Sequence, residues 1–337
     1  MGHIKAIILL YSLHSLTLAS VRCVIPKVRF ILKFRYLFFL LIAVLCIVGF
    51  DYFDEDYSSF EVIKSQTPGR YLNSDHGSTR YQVFGEDNTE VIVLIAASNG
   101  YIEQWNPNIQ PLVNAGYKVV AYDLYGRGLS ARPKTDLSLS VFRTQLSLII
   151  DEVDVDQVHL VGSSFGSVIA SDFAIHNADR VDKLVFVGPA GWPSNINFSS
   201  KILNVPVLGE LIFHYFGDAI LKPRVEGYFY DKESNISVVK TWQKFASYPG
   251  FMRSYLSTIR HSPVLDYIDG WQELGMLDKS VLFIWGKNDI SFPFENSQRA
   301  IGLIPNATIT AIDNAAHWVN IEKPLLVNNS IISFLAK

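Results

Sequence analysis

The chain is 337 residues long, with 49% hydrophobic and 18% charged residues and a formal net charge of −3. That composition excludes an intrinsically disordered chain and supplies enough apolar surface for a sizeable core. The first 50 residues carry six basic side chains (Lys5, Arg22, Lys27, Arg29, Lys33 and Arg35) and no acidic one, so the body beyond them is acidic, which argues against nucleic acid as its partner.

Residues 1–50 read as a membrane anchor region. Tyr36 to Phe50 runs YLFFLLIAVLCIVGF without a charge, Ile31, Leu32 and Phe34 extend its apolar surface, and Lys33 and Arg35 can snorkel to the interface. A transmembrane helix over about 31–50 is expected, ended by Asp51, Asp54, Glu55 and Asp56. A weaker apolar segment over 6–21 reads as a second span, an interfacial helix or a leader. The basic cluster Arg22–Arg35 should stay cytoplasmic, so one pass or two leave the body on the non-cytoplasmic side. Cys23 and Cys46 both lie in this region, and the body therefore has no thiol for a disulfide, a zinc site or a nucleophile. Glycosylation sequons begin at Asn197, Asn235, Asn306 and Asn328.

Beyond Asp51 a linker to about Gln66 leads toward an expected early strand, Arg80–Phe84. The continuous apolar run Val91–Ala96 suits a strand buried on both faces. A helix follows from about Glu103 to Asn114, then strand Tyr117–Asp123, helix Ser140–Val153, strand Gln157–Gly162, helix Phe165–His176 and strand Lys183–Gly188. Farther on come strand Val281–Trp285, helix Glu295–Leu303, strand Ala307–Ile312 and a last helix near Val319–Leu335. The alternation predicts an α/β fold, a mostly parallel central sheet flanked by helices. Residues 192–270 break the pattern: they are rich in aromatics such as Trp192, Phe213, Tyr228 and Trp242 and show no strand run. A helical cap or lid is expected there, with 51–191 and 271–337 forming the core.

Gly162-Ser163-Ser164-Phe165-Gly166 matches G-x-S-x-G between an expected buried strand and an expected helix. There a strained turn lifts the Ser164 hydroxyl above the sheet, and the helix N-terminus favours a developing oxyanion. A serine needs a base, and the body offers His76, His159, His176, His214, His261 and His317. His317 follows the last strand directly before the final helix, whereas His159 lies inside a strand and reads as a core residue. Asp289, just past strand 281–285, is the expected acid that orients His317; Asp313 and Asp123 are its competitors, the first read as capping a turn and the second as opening a tight structural turn. In a parallel sheet these three strand ends share the edge where open α/β sheets bind ligands.

The order Ser164, Asp289, His317, with the elbow and the cap insertion, resembles the α/β-hydrolase fold family, in its serine-nucleophile branch, over about Phe60 to Lys337. The turn Asp123-Leu124-Tyr125-Gly126-Arg127-Gly128-Leu129-Ser130 is similar to the family's D-x-x-G-x-G-x-S, and Trp285-Gly286-Lys287-Asn288-Asp289 to its W-G-x-x-D loop. Ala316-His317-Trp318, followed by Glu322-Lys323-Pro324, resembles its histidine loop with E-x-P. Two positions depart: Ala96-Ala97 stands where the family usually has His-Gly, and Ser167 where it often has a second glycine. The resemblance implies an oxyanion hole from the backbone N–H groups of Phe165 and Ser98.

The expected activity is that of a membrane-anchored carboxylic-ester hydrolase, esterase- or lipase-like, acting on a small-molecule or lipid ester with an apolar acyl group. A carbon–carbon hydrolase or acyltransferase on the same three residues, or a ligand-binding relative without catalysis, stays open. No metal or organic cofactor is implied, since neither a ligand cluster nor a phosphate loop is visible.

Overall fold

The strands are short apolar runs whose side chains alternate between two cores. In the strand Glu90–Ile95, for example, Val91, Val93 and Ile95 enter one core cluster and Ile92 and Leu94 the other, the period of two that a sheet covered on both faces requires. The structure is a computed structural model that describes residues 55–193 and 200–337, with Lys33, residues 35–40, Ile42, Ala43 and Cys46 of the N-terminal region. The expected spans over 6–21 and 31–50 fall largely outside the described residues. Tyr36, Phe39 and Leu40 are helical and exposed, and no helix among the described residues is long and apolar enough to cross a membrane.

From residue 55 the chain forms α1 (Ser58–Gln66), β1 (Arg70–Ser74), β2 (Gly77–Phe84), β3 (Glu90–Ile95), α2 (Asn106–Asn114), β4 (Tyr117–Tyr122), α3 (Leu139–Glu152), β5 (Val158–Ser163), α4 (Phe165–His176) and β6 (Val181–Val187). The inserted region holds α5 (Ser200–Leu203), α6 (Leu208–Glu226), α7 (Ile236–Ala246) and α8 (Phe251–His261). Then follow α9 (Ile268–Leu274), β7 (Ser280–Gly286), α10 (Asn296–Leu303), β8 (Ala307–Ile312), α11 (Val319–Glu322) and α12 (Pro324–Leu335).

The eight strands form one sheet in the order β1-β2-β4-β3-β5-β6-β7-β8, parallel from β4 through β8 and antiparallel at the β1–β2 end. α3, α4, α9 and α10 supply side chains to the cluster on one face, including Phe142, Phe173, Trp271 and Ala300; α2 and α12 cover the other with Leu112, Val327 and Ile331. The strand order reverses around β3, β4 and β5, so the C-terminal ends of β3 and β5 open a crevice, the expected position for a ligand site.

Four sequence expectations are corrected. The stretch read as a linker contains α1, seated because Phe60 is buried against Tyr248 at a ring separation of 5.6 Å. The early strand begins at Gly77 and pairs with β1, which polar RYLNS gave no pattern to reveal. The last helix is two helices, because Pro324 has no N–H to continue the first and instead opens the second. The boundary expected at 270 falls inside α9, which packs on α4 and so belongs with the core layer. Of the sequons, Asn328 is buried and engaged at both ends of its amide, with Asn108 at 2.7 Å and the Pro107 carbonyl at 3.0 Å.

Candidate active site

Ser164 joins β5 to α4 in a conformation that side chains rarely adopt, φ 52° and ψ −117°. Such strain persists only where the surroundings over-determine it, and here they do. The Ser164 N–H donates to the Val187 carbonyl at 3.0 Å, while its own carbonyl accepts from Ala190. A Cβ on Gly162 would lie 2.3 Å from the Gly166 carbonyl oxygen, and one on Gly166 would lie 2.3 Å from that of Ile95, so both flanking glycines are required by close backbone approach. Ser167, in place of a further glycine, is accommodated by donating its hydroxyl to the Gly162 carbonyl at 2.8 Å.

His317 lies in the loop after β8 and Asp289 in the loop after β7, both at the sheet edge that Ser164 tops. His317 Nε2 is 2.9 Å from Ser164 Oγ, and its Nδ1 is 2.7 Å from Asp289 Oδ2. The other Asp289 oxygen accepts the N–H groups of Ser291 and Phe292 at 2.8 and 3.0 Å, which fixes the carboxylate plane toward the imidazole. All three side chains are buried. Rings close the space around the imidazole: Tyr228 from the inserted region at 4.9 Å and Phe292 at 5.6 Å between centroids. Burial holds the Tyr228 hydroxyl well above its ordinary pKa, so it stays neutral. This arrangement can move the serine proton onto Nε2 and stabilise the imidazolium that results.

The competing residues have other partners. Asp313 is exposed and pairs with Lys287 at 2.8 Å. Asp123 is fully buried away from His317, where it accepts the N–H groups of Ile102 and Leu129 and faces Arg80 at 3.3 Å. Among the remaining histidines, His159 is buried between Glu90 and Asp182, His176 lies beside Arg143, and His261 faces Asp136.

The N–H of Phe165 begins α4, and among the described residues neither it nor the N–H of Ser98 is donated to a protein acceptor. Unpaired backbone donors of this kind are what an oxyanion hole requires. What holds the Ser98 loop in place is visible only in the folded chain. Gln104 accepts the Ala97 N–H at 3.3 Å and donates to Ser163 Oγ at 3.1 Å, tying the loop to the elbow. Arg127 Nε donates to the Ser98 carbonyl at 2.6 Å, and Asp123 holds Ile102 at the loop's far end. With no carboxylate beside it, burial pulls the Arg127 guanidinium down to about 9. Asp123 and Arg127 belong to the D-x-x-G-x-G-x-S turn, so that motif carried a signal; Gln104 carried none.

Residues 92–329 match the Alpha/beta hydrolase family, and the chain belongs to it. A 2-hydroxy-6-oxononadienedioate/2-hydroxy-6-oxononatrienedioate hydrolase of Cupriavidus pinatubonensis is 25% identical over 293 residues, covering 82% of this chain and 99% of that one. A 2-hydroxy-6-oxo-6-phenylhexa-2,4-dienoate hydrolase of Comamonas testosteroni is 25% identical over 236 residues, 68% of this chain and 80% of that one. Among solved structures, a meta-cleavage product hydrolase from Pseudomonas fluorescens superposes with a TM-score of 0.66 at 22% identity, over 80% of this chain and 97% of that one. An esterase from Exiguobacterium antarcticum does so with a TM-score of 0.69 at 17% identity, over 80% and 100%. These two superpositions show the shared fold.

Proposed function

We propose that this member of the alpha/beta hydrolase family uses Ser164, His317 and Asp289 to hydrolyse a carbon–carbon bond next to a ketone. The observation that carries the reading is the hydrogen-bonded chain from Ser164 through His317 to Asp289, with the strained elbow beneath it. The choice of bond rests on the relatives. A hydroxy-oxo-dienoate, as named for the Cupriavidus and Comamonas proteins, contains no ester or amide, so its hydrolysis has to break a carbon–carbon bond.

In this reading Ser164 gives its proton to His317 Nε2 and adds to the ketone carbon. The N–H groups of Phe165 and Ser98 receive the oxyanion. The dienol first moves its 2-hydroxyl proton to C5, giving a 2,6-dioxo-enoate, so that collapse of the tetrahedral adduct breaks C5–C6 and expels the C5 fragment as a dienolate, which takes the proton from the imidazolium. Water, activated by His317, then releases the carboxylic acid and restores Ser164.

A carboxylic-ester substrate is the second reading. The apolar cluster in which cap residues Phe213, Trp242 and Phe251 join Tyr228 and Trp318 beside His317 favours it. The two readings separate in one assay: purified enzyme is given 2-hydroxy-6-oxo-6-phenylhexa-2,4-dienoate and, separately, p-nitrophenyl butyrate. Loss of the dienoate chromophore with release of benzoate supports the first reading. Turnover of the ester with the dienoate untouched would replace it with the second, and stable binding without turnover of either would leave a ligand-binding protein.

The uncharged run 36–50, bounded by Lys33 and Arg35 before it and acidic residues after it, supports attachment to a membrane with the body on the non-cytoplasmic side. Protease protection of the body in sealed vesicles checks this, and a body accessible from the cytoplasmic side would reverse the topology.

A further inference from the structure

The cap carries an apolar surface that its own packing leaves open. α6 turns Phe213, Gly217, Leu221 and Val225 inward, and the Phe213 ring stacks on Tyr255 of α8 at 5.9 Å. A helix with one apolar face buried normally turns polar residues outward. On α6 the outward face is largely apolar. Leu208, Tyr215, Phe216 and Ile220 are exposed, Phe216 to 61%, with Asp218 exposed beside them and the Lys222–Glu226 ion pair half-exposed in the last two turns. Val205 and Val207, exposed in the turn before it, continue the surface. Contiguous exposed apolar surface of this kind marks an interaction site.

Glu55, where the body begins, is fastened to the cap and not to the sheet. Its carboxylate accepts the Gly250 N–H at 2.7 Å and pairs with Arg253 at 3.3 Å, while the Tyr57 hydroxyl donates to it at 2.8 Å. Gly250 and Arg253 form the start of α8, where a carboxylate also meets the positive end of the helix. α8 in turn packs against α6. The uncharged run ends at Phe50, five residues before Glu55, and five extended residues reach at most about 17 Å. Five residues of chain therefore separate the end of the apolar run from the residue tied to the cap.

We propose that the outward face of α6 docks on a phospholipid bilayer, the one that holds the 36–50 segment, so that the cap faces lipid and the far edge of the sheet faces water. The proposal rests on the anchoring reading and not on which bond the enzyme cuts. It implies that a lipophilic substrate meets the cap while still dissolved in the membrane.

The test uses the full chain with Cys23→Ser and Cys46→Ala, reconstituted in phosphatidylcholine vesicles with and without nitroxide-labelled lipid. A single cysteine replaces Phe216 or, separately, Leu208, and carries an environment-sensitive fluorophore. Met276→Cys is the control, exposed and lying just before β7, at the sheet edge opposite Ser164. Labels at 216 and 208 should shift to the blue and be quenched about twofold or more by nitroxide lipid, and the label at 276 should not. All three sites are solvent-facing, so folding is not at risk, and unchanged thermal melts verify it.

Absence of lipid quenching at 216 and 208 in vesicles overturns the proposal. A blue shift without quenching would then identify the chain's own N-terminal segment as the cover, and energy transfer between labelled molecules would identify a second copy. The fluorescence is read on resting enzyme, so its failure is distinct from failure of the Ser164 chemistry.

Discussion

The sheet edge and the cap solve the problem of holding a site in opposite ways. At the sheet edge, backbone meets backbone: Ser164 is held at φ 52° by carbonyls and N–H groups, and the glycines at 162, 166, 188 and 286 each face a carbonyl oxygen that a Cβ would approach to 2.3–2.4 Å. In the cap, Gly209 also faces a backbone carbonyl, that of Leu203, but most contacts are side chain to side chain, with Phe213, Trp242, Phe251 and Tyr255 stacked or edge-on, and a Cβ on Gly217 would meet the flexible end of Met252. Backbone contacts leave almost no slack and fix reacting atoms. Aromatic packing tolerates adjustment, which suits a cover that admits substrate.

If the sheet edge alone carries the chemistry, the largest effects belong there. Ser164→Ala or His317→Ala should lower turnover by about four to six orders of magnitude with little change in melting temperature. Ser164→Ala should also abolish labelling by a fluorophosphonate probe. Retained turnover in His317→Ala would remove the base from the site.

Next in size is the buried cluster under the Ser98 loop. Arg80→Met leaves the fully buried Asp123 without its guanidinium partner and should cost about 3–5 kcal/mol in chemical denaturation. Burial, opposed by Arg80, pushes the Asp123 carboxyl up to about 6. Its folded pKa thus lies above the unfolded value, so the folded state binds the proton more tightly. The associated stability is full below about pH 4 and is lost as pH rises through about 6. Urea melts between pH 4 and 7 should show this decline in the wild type and not in Asp123→Asn; an identical pH profile in the variant would assign the titration elsewhere.

The contrast between the regions is sharpened by two equal substitutions. Gly166→Ala drives a Cβ into the Ile95 carbonyl and should destabilise by about 1–3 kcal/mol, whereas Gly217→Ala displaces only Met252 and gains helix propensity, for a net change within about 1 kcal/mol. Similar melting shifts in the two variants would erase the distinction. Smallest of all, Phe216→Ser on the outer cap should change stability in detergent solution by less than about 0.5 kcal/mol, because that side chain packs on nothing there that folding requires.

What the sequence determined by itself is local. Apolar runs at strand spacing, helices between them, and a Ser, an Asp and a His each just after a strand are patterns a few residues wide. Because a parallel sheet gathers its strand ends on one edge, those patterns already implied that Ser164, Asp289 and His317 would meet. The tertiary structure decided everything that depends on partners far along the chain. Polar β1 exists only because β2 pairs with it, α1 only because Phe60 finds Tyr248, and α9 joins the core because α4 is there to receive it. Glu55 is one acidic residue among several after the apolar run until folding brings it to Gly250, 195 residues away, and fastens the start of the body to the cap. Gln104 likewise looked like any helix-starting polar residue, and only packing placed its amide between Ala97 and Ser163. Such residues obey no short period, because their positions are set by which surfaces the fold brings together.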